Sequence, residues 1–326
     1  MSRLLRSVLT TLLAALLGGA ALAQTGPACP PTAQAPTPEQ RQAGLRNARD
    51  HGFLWRISKD GRSSWLYGTL HVAKLDWTFP GPKVSAALKA SNTIALEMDL
   101  LDPQVERATA QAMAAQPRAP LPEALQQRLA RAAQAECIPP QALVALAPEM
   151  QIAALTALIG RRDGLDPGYG IDLVLAGWAR VAKRGVVSLE SPELQLKTLQ
   201  SASPAETVDA VASALDEIES GRARPLLLRM AQLWADGDWP ALSTYASWCD
   251  CLKTGAARAD LKRLLDDRNP GLADGIAALH AGGKNVFAAV GSLHMIGPTG
   301  LPVLLARRGY RVEQIVYDPQ PQETRP

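Results

Sequence analysis

The chain has 326 residues, 47% hydrophobic and 20% charged, with 34 basic against 31 acidic side chains and a net charge of +3. Two of the basic residues, Arg3 and Arg6, belong to a leader, and without them the balance is +1. That near-neutrality excludes a general pull toward nucleic acid or anionic membrane.

Residues 1–23 read as a secretory signal peptide. Arg3 and Arg6 precede an apolar run from Val8 to Leu22, and Ala21-Leu22-Ala23 is an A-x-A cleavage site. An uncleaved anchor fits less well, because the run is short and broken by Gly18-Gly19. Nothing later is long and apolar enough to span a bilayer. The mature chain is therefore expected to be a soluble exported protein, in a periplasm, large enough for one large domain or two small ones.

Residues 24–50 form a loose N-terminal segment, rich in Pro, Ala, Thr and Gln to residue 38 and helical in composition from Glu39 to Asp50. Leu54–Ser58 and Ser64–Tyr67 flank an Asp60-Gly61 turn and predict a hairpin. A helix is expected at Lys83–Ser91 and a buried strand at Thr93–Asp99. Apolar spacings of three and four predict helices at Pro122–Ala135, Gln141–Leu158 and Ile171–Lys183. A strand follows at Val186–Glu190, then helices at Pro204–Ser220, Pro225–Trp234, Ala257–Leu265 and Gly271–Ala281. Ser203 with Glu206 three residues on suggests a capping box. The chain closes with a strand at Asn285–Val290, a helix at Gly300–Arg308 and a strand at Tyr310–Tyr317.

The two ends carry the same word. Gly68-Thr69-Leu70-His71 and Gly291-Ser292-Leu293-His294 each follow a β-prone run, and each is followed by Gly-Pro, a short helix and a strand. We read a weak internal repeat with the helical middle inserted between its halves. The expected fold is α/β (α+β), a central mixed sheet from pseudo-repeated N- and C-terminal halves related by a local twofold. One domain would span 51–318, with helical insertions at about 104–185 and 200–282 and a tail at 319–326.

The cysteines, Cys29, Cys137, Cys249 and Cys251, are even in number, and an oxidising compartment favours two disulfides. A Cys249–Cys251 bridge closes a strained loop, so Cys29 and Cys137 are each expected to pair with one residue of the C-x-C. A zinc site on Cys249-Asp250-Cys251 is a weaker alternative.

The repeat carries chemistry. Strand-end Gly-x-x-His places an imidazole at a sheet edge, and two such edges can aim two imidazoles at one ion. Glu97 stands in an apolar strand, where an unpaired carboxylate costs several kcal/mol, and Glu190 repeats that setting. His71, His294, Glu97 and Glu190 together suit a divalent metal ion such as Mn, Co or Zn, which would generate a nucleophile or polarise a carbonyl. A single strand-end His is more often structural, a strand Glu can pair with Arg, and Asp99 can be a loop-facing end. The duplication is what favours a shared site, and it requires the two imidazoles to lie within about 10 Å. Arg268-Asn269, at a turn between helices, could hold an oxyanion or simply cap a helix. Asp172, after Gly168-Tyr169-Gly170, reads first as a helix N-terminal charge and second as a site residue, and Gln195 is a weaker candidate. His51 and His280 are expected at the surface.

These residues resemble the TraB/GumN family, whose relatives include the Tiki Wnt-cleaving metalloproteases and, more remotely, the erythromycin esterase-like and ChaN-like proteins. The resemblance rests on Leu66–His71, Phe79–Pro82, Ala95–Asp99, Gly170–Asp172, Leu189-Glu190, Arg268-Asn269 and Ala289–His294, nearly the whole mature chain. Paired Gly-x-x-His motifs with an intervening Glu mark that family. The resemblance implies that His71, Glu97 and His294 form the metal and catalytic set, and its Tiki members imply Mn- or Co-dependent peptide hydrolysis. An exported metal-dependent hydrolase acting on a peptide or other small polar substrate is the expected function. The alternative is a non-catalytic binding protein for a peptide, a polysaccharide fragment or a metal.

Overall fold

The computed structural model describes residues 29–317. The expected signal peptide at 1–23 and tail at 319–326 lie outside the described residues. Six strands form one mixed sheet: β1 Phe53–Lys59, β2 Arg62–Thr69, β3 Thr93–Leu96, β4 Gly185–Ser188, β5 Val286–Gly291 and β6 Arg311–Ile315. Their order is β4-β3-β5-β2-β1-β6. The first three pairings are parallel, while β2 with β1 and β1 with β6 are antiparallel.

The β1–β2 turn forms as the sequence predicts. Asp60 and Gly61 both have positive φ, 51° and 72°, as a type I′ hairpin needs. The central strands are the most apolar. Val286 to Val290, Ile94 and Leu96 are fully buried, because parallel strands covered on both faces cannot afford alternation. One hydrophobic core surrounds this sheet. A second, smaller core lies within the helices of 123–158 and Val211 and Leu215 of the Pro204–Glu219 helix. Part of the helical middle thus has a core of its own.

The repeat is visible in the sheet. β2 runs through a 3₁₀ turn, Leu75–Thr78, and the Pro82–Ala90 helix to β3; β5 runs through Ser292–Met295 and the Leu301–Arg307 helix to β6. β2 and β5 are parallel neighbours, and their crossovers leave in opposite directions along the sheet. A twofold along the strands relates them, and β1, wedged between β2 and β6, breaks it.

Several expected boundaries shift. β3 stops at Leu96 and β4 at Ser188, so Glu97 and Glu190 stand just past their strands. The expected 141–158 helix is two, Pro140–Val144 and Pro148–Leu158, because Pro148 disfavours helical backbone at the residue before it. Ser203 Oγ accepts from the Glu206 N–H at 3.2 Å, while the Glu206 carboxylate reaches the N–H of Ala202, one residue before the cap. His280 is buried, its Nδ1 2.9 Å from Ser64 Oγ and its Nε2 3.2 Å from the Lys59 carbonyl. His51 is half-buried and stacks on Trp234 with centroids 5.8 Å apart. Neither is the surface histidine expected.

The cysteines pair otherwise than expected: Cys29 with Cys137 and Cys249 with Cys251. The C-x-C bends where the Tyr245–Trp248 helix gives way to a 3₁₀ turn, which brings its Cα atoms to 5.1 Å, within disulfide reach. Cys29 ties the N-terminal segment to the helical middle, and that segment is not loose where it is described. Ala33 N–H donates to Asp166 Oδ2 at 3.0 Å and Gln34 N–H to the Tyr169 hydroxyl at 2.9 Å.

Candidate functional site

Both Gly-x-x-His words end neighbouring parallel strands, offset by one residue, since Gly68 pairs with Val290 and Thr69 with Gly291. After β5 the chain turns at once into Ser292–Met295, which buries His294 at 3% exposure. After β2 it stays open, and the His71 side chain keeps 70% exposure.

Each imidazole is held through Nδ1. Asn269 directs its Nδ2 to two carbonyls, Thr299 at 2.9 Å and His294 at 3.4 Å, so its Oδ1 faces His294 Nδ1 at 2.6 Å. An amide oxygen only accepts, which places the proton on Nδ1 and a lone pair on Nε2. Burial depresses the His294 pKa to about 4, keeping it neutral at pH 7. His71 Nδ1 donates to Asp172 Oδ2 at 2.8 Å, and Thr69 Oγ1 holds the other oxygen of Asp172 at 2.7 Å. The Asp172 charge raises the His71 pKa, and the ring's exposure screens that effect. Gly170 is what lets the Asp172 loop close on β2. A Cβ there would stand 2.7 Å from the His71 carbonyl oxygen.

The carboxylates come from β3 and β4. The Glu190 N–H donates to the Glu97 carbonyl at 2.9 Å, locking the two strand ends together. Arg268 then joins the side chains. Its Nε donates to Glu190 Oε1 at 2.9 Å, its Nη2 to Glu97 Oε2 at 2.6 Å and to Glu190 Oε2, and its Nη1 to the Leu264 carbonyl at 2.9 Å. Gln195 Nε2 adds a bond to Glu190 Oε2 at 3.1 Å and a longer one to Glu97 Oε2. Glu97 Oε1 accepts from the Gly291 N–H at 2.7 Å. Burial pushes the Glu97 carboxyl up, but His294 when protonated, together with His71, Arg268 and the Gly291 N–H, outweighs this and holds it well below the ordinary carboxylate range.

Arg268 follows a π-helical turn at Lys262–Asp266 and directly precedes the Asn269–Ala281 helix. Adjacent residues thus serve the two halves of the site, Arg268 the carboxylates and Asn269 the buried histidine.

Gly291 is the centre of the arrangement. The point where a Cβ would stand lies 3.2 Å from Glu97 Oε1, 3.6 Å from His71 Nε2 and 3.7 Å from His294 Cδ2. The two rings are therefore within roughly 7 Å of each other, inside the limit that a shared ion sets. Among the described residues, no three His, Cys, Asp or Glu side chains form a closed metal-binding group. The donors fit a divalent ion in kind, two imidazole nitrogens and a carboxylate around a cradle that any side chain at 291 would fill. Glu190 differs, with both its oxygens committed to Arg268.

The structure brings His71, His294, Glu97, Glu190, Arg268 and Asn269 into one site. Asp172 joins them as the partner of His71, more than the helix charge its sequence setting suggests. Thr69, an unspecified position of its motif, was not anticipated. Asp99 stands apart, paired through both oxygens with Arg180. The cysteines take no part.

Residues 53–314 match the model of the TraB/PrgY/gumN family. No curated protein and no solved structure matches the chain.

Proposed function

The chain belongs to the TraB/PrgY/gumN family, and on that premise we propose that it is an exported, periplasmic, metal-dependent hydrolase of peptidase type. The observation that carries this reading is the cradle at Gly291, where two imidazoles tethered by Nδ1 face an ionised carboxylate. His71 and His294, through Nε2, and Glu97 would hold the ion. A divalent ion there would supply Lewis acidity to a substrate carbonyl.

The other roles belong to the chain itself. Asn269 fixes the His294 tautomer, and Asp172, steadied by Thr69, orients His71. Arg268 spends Nε, Nη1 and Nη2 on Glu190, Leu264 and Glu97, so it positions the carboxylates and offsets their repulsion. Glu97, held ionised, is a weak base and a good ligand. Exposed His71 marks the side from which substrate arrives. The Cys29–Cys137 disulfide suits an oxidising compartment, and no helix among the described residues is long and apolar enough to cross a membrane.

The second reading is a binding protein without turnover. It is favoured by the Arg268 bridge, which already neutralises carboxylates that a catalytic ion would otherwise engage. The test is to strip the mature protein of metal, restore Mn, Co or Zn, and follow cleavage of a peptide library by wild type and His71→Ala. Metal-dependent cleavage absent from the variant supports the hydrolase, and tight ligand binding with no turnover under any metal refutes it.

A further inference from the structure

The β4 edge of the sheet is open and runs into the site. Leu189 donates its N–H to Leu96 of β3 at 2.8 Å. Backbone groups alternate in direction along a strand, so Gly185 and Val187 also face β3. Val186 and Ser188 turn their N–H and C=O groups away from the sheet, and β4 has no second strand neighbour among the described residues. The opposite edge is blunted by charge: β6 carries Arg311 and Glu313, the latter bound to Arg56. No residue of β4 is charged.

Beside this edge lies an open trough of about 380 Å³. Val187 and Leu189 form one wall, and Gly275, Ala278 and Gly282 form the other. A Cβ at Gly275 would stand 3.1 Å from Leu189 Cδ2, so glycine sets the helix close to the strand. Exposed Lys284 closes the trough at the end where β5 begins. Thr93 pairs with both Gly185 and Val286, which fixes Lys284 at the start of β4 and Glu190 at its finish.

We infer that β4 is the docking strand for the substrate, an extended peptide with a free C-terminus. Its backbone pairs with Val186 and Ser188, an apolar side chain lies in the trough, and its carboxylate meets Lys284. The peptide runs from Glu190 toward Lys284, antiparallel to β4. Four strand residues at about 3.3 Å each match a docked segment of about four residues. The cradle on β5 lies three strand spacings of about 4.8 Å from it, so the bond that reaches the site is about four residues further toward the N-terminus. Its hydrolysis consumes one water: the acyl carbon gains the hydroxyl and the released amine gains the proton. The inference rests on the peptidase reading of the site, whereas the docking itself does not depend on turnover.

The probe is fluorescein-labelled Ala-Val-Ala-Val, as free acid and as amide, titrated by fluorescence anisotropy into the mature protein. The variants Lys284→Glu and Ala278→Trp alter exposed positions away from the site, and circular dichroism establishes that they fold. Wild type is expected to bind the acid. The amide and Lys284→Glu each weaken binding by about tenfold or more, and Ala278→Trp abolishes it. Such binding without cleavage of any longer peptide supports the docking strand and refutes the hydrolase. Cleavage of longer peptides that neither variant alters leaves the hydrolase and overturns the docking strand. A wild-type dimer that Ala278→Trp dissociates, with no peptide bound, overturns it in favour of a second copy on this edge.

Discussion

Replacing Arg268 by Met tests how the site is held before any ligand arrives. The guanidinium side chain is 12% exposed, and its partners Glu97 and Glu190 are 8% and 3% exposed. Removing one partner of a buried pair leaves an uncompensated charge, at a cost of about 3–5 kcal/mol. The figure is not doubled for two carboxylates, because Glu97 keeps the Gly291 N–H and both keep Gln195. One carboxyl can also escape by taking up a proton, since two close carboxylates raise each other's pKa. The loss in urea unfolding of the metal-free protein should therefore be about 3–5 kcal/mol at pH 7 and shrink toward pH 5. Adding Glu190→Gln to Arg268→Met should recover part of it, with a coupling energy of about 2 kcal/mol. A loss below about 1 kcal/mol, the range of exposed pairs, or one that does not change with pH, would refute the bridge as a buried ion pair.

Metal-free protein should be most stable near pH 6.5. His294 titrates at about 4 when folded and near 6.5 when unfolded, so the unfolded chain gains protons first and stability falls by about 3 kcal/mol as pH drops through that interval. His71 is shifted the other way, to about 9, and adds stability below 6.5 that is lost as pH rises toward 9, by less because the ring is exposed. Urea unfolding at pH 4.5, 6.5 and 9 measures both limbs, and an acid limb unchanged by His294→Gln would contradict the assignment. Asp172→Asn should bring the His71 pKa back toward 6.5 by NMR titration and weaken Mn or Zn binding about 10- to 100-fold; an unmoved pKa would remove Asp172 as its partner. Reducing Cys29–Cys137, which spans 108 residues, should cost up to about 4–5 kcal/mol, and Cys249–Cys251 much less, because loop length sets the entropy. Equal losses in Cys29→Ser and Cys251→Ser would argue against that ranking.

The repeated tetrapeptide was legible because a strand-end Gly-x-x-His is local, and so were the hairpin and the carboxylates near it. The relation of the repeats by a local twofold was legible too, but the position of β5 between β3 and β2 was not, since it comes from pairing between segments far apart in the chain. Strand ends were overrun by two or three residues because Glu97 and Glu190 follow apolar runs without a turn residue to mark the stop. Asp172 was underread for a similar reason: its contact with His71 spans 101 residues, and a helix-start aspartate looks the same with or without such a partner. His280 was misplaced because its burial depends on Ser64, from a hairpin far away in sequence. The cysteine pairing failed on a local point, a bend after Trp248 that composition does not announce.

The place of β5 has a consequence for the order in which the molecule comes into being. A chain made from its N-terminus acquires β2 and β3 early, but these strands do not pair with one another and wait for a common neighbour, β5, that is made long after both. The same late segment supplies His294, the Gly291 N–H and the cradle. Sheet and site therefore close together, slowly, as long-range pairing requires, and a chain cut short before β5 has neither. Whatever this centre does, it cannot begin before β5 is in place between β2 and β3.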